Sequence, residues 1–221
     1  MNTHYKYLTS IAMLFVALLL FANITAEKLV QFGWFVMPAS IIIYPLLYII
    51  GSIITEVYGH KEAAIITVTA TAINLLMAII FLIVIQLPSA GIYHHQTAFA
   101  MVLGSTPRIV IASIVSFWCG EMSNIFIAAT LKRKGHFPLR LRAIVANSTG
   151  LLVDCIIFIF IAFSNLSWRN ILIVSGSYFL FKVIYELILI SFMRYPIQFL
   201  TLNEIHPTKD VDMLKRVKQH D

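Results

Sequence analysis

Residues 63–87 read AAIITVTATAINLLMAIIFLIVIQL and contain no charged side chain. A helix of about 20 apolar residues crosses the ~30 Å hydrocarbon core of a bilayer. Lipid offers no hydrogen-bond partners to free backbone groups, so a lipid-embedded run of this length must be helical. The stretch therefore predicts one transmembrane helix.

Five further apolar runs lie at residues 8–26, 35–57, 108–131, 143–164 and 171–193. The chain is 60% hydrophobic and 12% charged, with a mean hydropathy of +0.88. Soluble domains are about half apolar and about a quarter charged. We therefore predict an all-α, polytopic membrane protein with about six transmembrane helices. It forms a single domain over residues 1–200, followed by a cytoplasmic polar tail at 201–221.

The first run is charge-free from Tyr7 to Ala26. A signal peptide has an apolar core of only about 7–15 residues and a small-residue cleavage site. We therefore interpret this run as an uncleaved first helix. The connection at residues 88–107 is expected to carry a short interfacial helix.

Orientation is predicted from the lysines and arginines, which favour cytoplasmic segments. Three of them, Lys28, Arg108 and Arg169, lie on one side of the predicted spans, and Lys182 lies within a span. The remaining twelve lie on the other side: Lys6, Lys61, Lys132, Arg133, Lys134, Arg140, Arg142, Arg194, Lys209, Lys215, Arg216 and Lys218. This asymmetry places both termini in the cytoplasm.

Polar residues inside the fourth span are the first candidates for a binding site. A charge at the bilayer centre costs about 2.5–3.5 kcal/mol on insertion scales, and such residues face the bundle interior or a wet cavity. Trp118, Glu121 and Asn124 are spaced three apart and therefore share a helix face. A carboxylate, an amide and an aromatic ring would then face one ligand, although Trp118 also suits an ordinary core position.

The fifth and sixth spans supply further polar candidates. Asn147 and Asp154 lie about two turns apart on one face, and no lysine on their own span can pair with Asp154. Lys182 and Glu186 have the i, i+4 spacing of an intrahelical ion pair, which is more often structural than a substrate contact. Glu56, near the cytoplasmic end of the second span, has either a coupling or a structural role.

The sequence motifs of several enzyme classes are absent from this chain. There is no nucleophile elbow, no zinc-protease motif and no Walker phosphate loop. Cys119 and Cys155 both fall inside apolar runs, and the adjacent His94 and His95 do not have metal-ligand spacing. The sequence thus predicts no enzyme, no ATP hydrolysis, no metal and no cofactor.

One set of residues lies in this order along the chain: Thr55-Glu-Val-Tyr-Gly59 with Lys61, Arg108 to Ser113, Glu121 with Asn124, Arg142, Gly150, Asp154, Phe158 and Lys182. Their order and spacing resemble the queuosine precursor transporter family, within the broader vitamin uptake transporter group. Three departures from the family pattern each remove a hydrogen-bonding group: Ser52 stands where an aspartate is expected, Ala146 where a hydroxyl is expected, and Leu151 where a polar residue is frequent.

The resemblance implies import of 7-deazaguanine bases, such as queuine, preQ0 or preQ1, across the cell (inner) membrane for salvage into tRNA queuosine. It also implies a six-helix fold similar to the substrate-binding subunits of energy-coupling-factor transporters. The partners are then a small molecule and the lipid bilayer, with no nucleic acid. The resemblance leaves open whether the chain forms a homo-oligomer or works with a coupling subunit.

The side-chain chemistry is compatible with such a ligand. A carboxylate can accept two adjacent N–H bonds from a guanine-like edge, and an amide both donates and accepts. We expect Glu121 or Asp154 to hold the base edge, Asn124 and Asn147 to orient it, and Trp118 to pack on the ring. Lys182 and Glu186 are expected to hold the bundle together or to couple protons.

Two alternatives to a self-sufficient transporter remain at this point. A substrate-binding subunit would dock on a separate coupling protein through faces rich in small residues, for which Ala112, Ser113, Ser116 and Gly120 form a modest stripe. An intramembrane enzyme would need a paired nucleophile and base, which the sequence does not show.

Overall fold

The computed structural model describes residues 5–133, 139–192 and 194–203. The predicted tail beyond residue 203, and some of the lysines and arginines counted for orientation, lie outside the described residues. The helices are α1 (Leu8–Thr25), α2 (Tyr44–Ile53), α3 (His60–Gln86), α4 (Gln96–Gly104), α5 (Thr106–Arg133), α6 (Leu139–Ala162), α7 (Trp168–Phe192) and α8 (Arg194–Asn203).

Within the described ranges, four segments are long and apolar enough to cross a membrane: α1, α3, Gln96–Arg133 and Ile144–Ala162. Tyr44–Tyr58 is a shorter apolar helix, and α7 is 25 residues long. Each of the six predicted spans overlaps one of the helices α1, α2, α3, α5, α6 and α7. The all-α, multi-pass class is therefore confirmed, and α4 is the short helix expected between the third and fourth spans.

The predicted second span is wrong at its start. Residues 35–38 form strand β2 (Phe35–Pro38), which pairs antiparallel with β1 (Leu29–Phe32). Gly33 adopts a positive φ of 59° in the connecting turn, a conformation that glycine adopts without steric cost. The backbone of Pro38 is extended, a short 3₁₀ helix follows at Ala39–Ile42, and α2 begins at Tyr44. Apolar composition alone does not distinguish a short strand from a helix.

A π-helical turn, Ile54–Tyr58, continues α2. It ends at Gly59, whose φ of 89° lies in the region that favours glycine. The chain then enters α3 directly. Glu56 therefore lies in an irregular turn rather than on a regular helix face, and π-turns of this kind are frequent at functional sites.

The main apolar core is formed by α5, α6, α7 and the hairpin. Met37, Ile109, Ile159 and Tyr178 are fully buried there. The hairpin tip points away from this core, since Trp34 is 94% exposed. The core fixes α7 against α6, and this contact sets the position of the polar groups described next.

The stripe of small residues on α5 faces this interior. Ala112, Ser116 and Gly120 are buried within the chain, and Gly120 meets α6. The suggestion that this stripe is a free docking surface for a coupling subunit is therefore wrong.

Candidate substrate cavity

A cavity of about 700 Å³ opens between α1, α2, α3, α5, α6 and α7. The five residues predicted to bind substrate, Trp118, Glu121, Asn124, Asn147 and Asp154, all line it. Lys182 and Glu186 line it as well. Residues from three separate spans therefore meet at one site.

Helix α5 contributes the face that its three-residue spacing predicts. Glu121 and Asn124 have no hydrogen-bond partner among the described residues, and the side chain of Glu121 is exposed. Trp118 is 65% exposed and contributes to the cavity wall. An accessible carboxylate and an amide are thus available to a ligand.

Two glycines bring α5 and α6 together beside this face. A Cβ atom on Gly120 would lie 2.8 Å from the carbonyl oxygen of Gly150 and 3.0 Å from the Cβ of Asp154. A Cβ on Gly150 would lie 2.7 Å from the Gly120 oxygen and 2.9 Å from the Cβ of Asn124. Small residues permit such close approach between membrane helices. The contact places Asn124 and Asp154 on adjacent walls.

Asp154 is paired with Lys182, across the α6–α7 contact. The Lys182 Nζ lies 2.8 Å from Asp154 Oδ2, and Ser116 Oγ donates a 2.7 Å hydrogen bond to Asp154 Oδ1. The expected Lys182–Glu186 intrahelical pair is therefore wrong. Because α6 and α7 pack side by side, Asp154 lies within reach of a lysine that is 28 residues away in the chain.

Glu186 has neutral partners instead. Its Oε1 accepts hydrogen bonds from Tyr48 Oη at 3.1 Å and from Asn147 Nδ2 at 2.9 Å. These bonds connect α7 to α2 and α6. Asn147 is consequently engaged by Glu186 in this structure.

Glu56 is not part of the cavity. It lines a separate, open hollow of about 410 Å³ with Tyr48, Gly51, Ser52 and Thr55. Tyr48 also lines the main cavity, so the two spaces share one wall.

Sequence reasoning missed several lining residues, of which Asn74 is the clearest. Asn74 lines the cavity, is 2% exposed, and its Oδ1 has no hydrogen-bond partner among the described residues. An amide in the middle of an uncharged span was a usable signal, because membrane interiors disfavour unsatisfied polar groups. Tyr44 and Tyr48 gave no such signal, since tyrosine is also common near membrane interfaces.

Two of the departures from the family pattern also lie near this site. Leu151 lines the cavity, and Ala146 is 1% exposed on the same helix. The resulting wall of α6 is less polar there than the family pattern predicts. The polar residues that α6 contributes to the cavity are Asn147 and Asp154.

The cavity carries an excess of negative charge. Among its described lining residues, Glu121, Asp154 and Glu186 are acidic, and Lys182 is basic. Uncompensated charge inside a bilayer is costly. The site therefore favours a ligand that donates hydrogen bonds or carries a positive charge. No cluster that could hold a metal ion is present among the described residues.

Comparison with protein families gives one match. The family model described as "Putative vitamin uptake transporter" matches residues 38–195. Searches of curated proteins and of solved structures gave no match. The matched segment spans the chain from the end of β2 to the start of α8, and so includes every predicted site residue. The chain therefore belongs to the vitamin uptake transporter family and is a membrane transporter rather than an enzyme.

Proposed function

We propose that this transporter imports queuosine precursors, the 7-deazaguanine bases queuine, preQ0 or preQ1, for salvage into tRNA. One observation carries the proposal: the polar faces at Glu121/Asn124 and Asn147/Asp154 open into a single cavity between the spans. Its volume of about 700 Å³ falls within the ~300–1,000 Å³ that is usual for small-molecule sites. It is ample for one bicyclic base.

The chemistry of the cavity suits a guanine-like edge. Glu121 is the one cavity carboxylate that has no partner among the described residues. It can therefore accept two adjacent N–H groups without first breaking another contact. Asn124 lies one turn away on the same face and can donate to the neighbouring carbonyl. Trp118 offers a flat apolar surface beside both groups.

Glu121→Gln is expected to lower precursor uptake by about ten- to hundredfold, because hydrogen bonds to a charged group are worth about 1.5–3 kcal/mol. The measurement is restoration of tRNA queuosine in a bacterium that lacks both its own synthesis and its own importer. Each precursor is supplied separately at low concentration. The host must contain the downstream enzyme for that precursor.

The matched control is Glu62→Gln, the same substitution in the first turn of α3 and outside the cavity. It should restore queuosine as well as the unchanged protein does. Normal restoration by both Glu121→Gln and Asp154→Asn would contradict the proposed site. If the unchanged protein reaches the membrane and restores nothing with any precursor, the proposed substrate or the self-sufficiency of the chain is wrong.

We also propose that both termini face the cytoplasm. The charge asymmetry supports this orientation, and the contact between Tyr5 and Tyr58, with ring centroids 5.1 Å apart, places the N-terminal segment beside the end of the second span. The hairpin tip belongs to the opposite side, since α1 separates it from the N-terminus.

This orientation predicts opposite labelling of two engineered cysteines. In a background with Cys119→Ala and Cys155→Ala, Trp34→Cys in the hairpin turn should react with a membrane-impermeant maleimide added to intact cells. Lys61→Cys, exposed near the start of α3, should react only after the cells are permeabilised. The reverse pattern would place the termini outside.

A substrate-binding subunit that needs separate ATPases is the second candidate. The internal position of the small-residue stripe on α5 counts against that stripe as its docking face. Expression of the chain alone in a heterologous host separates the two functions. A self-sufficient transporter accumulates precursor, whereas a binding subunit binds precursor without accumulating it.

A further inference from the structure

The ammonium group of Lys182 is enclosed by aromatic rings as well as by its carboxylate. Its Nζ lies 4.3 Å from the ring centroid of Tyr178 and 4.7 Å from that of Tyr44, in addition to the 2.8 Å contact with Asp154. Aromatic faces with a nearby carboxylate are the surroundings in which proteins bind ammonium ligands. The protein thus holds its own ammonium group in a site of that kind.

This ammonium site lies at the wall of the substrate cavity. Asp154, Tyr44 and Lys182 all line the cavity, and Tyr178 lies behind them, fully buried. The side chain of Asp154 is 22% exposed and that of Lys182 is 9% exposed. A ligand in the cavity can therefore reach the carboxylate without passing through the protein core.

A second carboxylate is available to Lys182 on its own helix. Glu186 lies four residues further along α7, within reach of Lys182. Its present donors, Tyr48 and Asn147, are both neutral amide or hydroxyl groups. Moving the ammonium group from Asp154 to Glu186 would keep it paired with a carboxylate and leave no bare cation in the membrane.

We propose that Asp154, Tyr44 and Tyr178 form an ammonium subsite, that Lys182 occupies it in the empty protein, and that the protonated amine of a substrate displaces Lys182. The displaced lysine then pairs with Glu186. One cation replaces another beside Asp154, so no charge at the subsite is left unpaired. The inference rests on the proposed function, because it concerns the same cavity.

The exchange selects among 7-deazaguanine bases by their side group. The aminomethyl base preQ1 carries a protonated amine at neutral pH and can replace the lysine. The cyano base preQ0 has the same ring system but no cation, so it must bind with the Lys182–Asp154 pair intact. Lys182 therefore competes with the amine-bearing base preQ1 for the subsite. It does not compete with the nitrile preQ0.

The test compares the binding of both bases to the purified full chain by calorimetry. Lys182→Met removes the internal competitor, so preQ1 should bind about tenfold more tightly, as expected when a competing state is removed. Binding of preQ0 should change by less than about twofold, since no cation subsite is involved. An equal change for both bases, or weaker binding of preQ1, would overturn the exchange.

Lys182→Arg keeps the test decisive if the methionine variant does not fold. A guanidinium binds a carboxylate through two parallel bonds and is harder to displace. We expect binding of preQ1 to weaken about tenfold while preQ0 is unaffected. Tighter or unchanged binding of preQ1 by this variant would count against displacement.

The aromatic wall gives an independent variant. Tyr44→Leu, made in the Lys182→Met background so that the ring no longer holds the competing ammonium group, removes one ring face and should weaken preQ1 by about three- to tenfold, because a cation–π contact with the bound amine is lost. Tyr44→Phe keeps the face and should recover most of that loss. If the folded, unchanged protein binds neither base, the proposed substrate is wrong. If it binds both and these variants do not discriminate between them, only the exchange is wrong.

Discussion

Gly120→Ala is expected to destabilise the protein and to abolish transport. The new Cβ would lie 2.8 Å from the Gly150 carbonyl oxygen and 3.0 Å from the Cβ of Asp154, so α5 and α6 must move apart. Overpacking of this kind costs about 1–3 kcal/mol. The separation would also move Glu121 and Asn124 away from the α6 wall. Thermal unfolding in detergent and precursor uptake measure the two effects.

Gly176→Ala is the matched control. Gly176 also lies in a membrane helix, α7, but no described atom outside its own helical surroundings comes within 4 Å of an added Cβ. Alanine favours the helix by up to about 1 kcal/mol relative to glycine. This variant should retain uptake with equal or slightly higher thermal stability. Gly150→Ala should match Gly120→Ala, since its Cβ would lie 2.7 Å from the Gly120 oxygen. Normal uptake by both clashing variants would contradict the close contact.

Asp154→Asn is expected to have the second large effect. It removes the carboxylate 2.8 Å from Lys182 Nζ and leaves that ammonium group buried beside two tyrosine rings. Removing one partner of a buried ion pair costs about 3–5 kcal/mol when the remaining charge is uncompensated, and pairing of Lys182 with Glu186 would offset only part of that cost. We expect a marked loss of thermal stability and loss of transport in the same variant.

The double variant Asp154→Asn with Lys182→Met separates stability from function. Removing both charges takes away the unpaired cation, and buried ion pairs can often be replaced in this way at little cost. Stability should return towards that of the unchanged protein, whereas uptake of the amine-bearing base preQ1 should remain lost because the subsite carboxylate is absent. A double variant as unstable as Asp154→Asn alone would show that the ion pair does not explain the destabilisation.

The glycine variants test the contact between α5 and α6, and the ion-pair variants test the contact between α6 and α7. The glycines set the distance between α5 and α6, and thereby place Asn124 beside Asp154. The ion pair joins α7 to α6 within the apolar contact of the two helices, and Glu186 bonds to Asn147 across the same contact. In this protein the two contacts together bring polar groups onto more than one wall of the cavity.

The sequence by itself predicted the class of the protein from the length of its apolar runs. A run such as residues 63–87 must be helical in lipid, where the backbone must satisfy its own hydrogen bonds. Helical spacing also predicted which residues share a face, as for Glu121 with Asn124 and for Asn147 with Asp154. These are local properties, fixed by the 3.6-residue period of a helix.

Where an apolar segment stops being helical was less predictable. Residues 35–38 are as apolar as a span, yet they pair as a strand across a turn at Gly33. The extended Pro38 and a 3₁₀ helix at Ala39–Ile42 then precede the start of α2. Hydropathy measures how a segment partitions into lipid and carries little information on a four-residue strand.

Only the tertiary structure decided which charges meet. Spacing along α7 favoured Lys182 with Glu186, since the two lie one turn apart. The packing of α7 against α6 instead brings Asp154 to 2.8 Å from Lys182, and leaves Glu186 to Tyr48 and Asn147. Whether two helices form an ion pair depends on how each helix is rotated about its axis and on its depth in the membrane. Those are set by contacts of the whole bundle, such as Gly120 on Gly150, and not by the spacing within either helix.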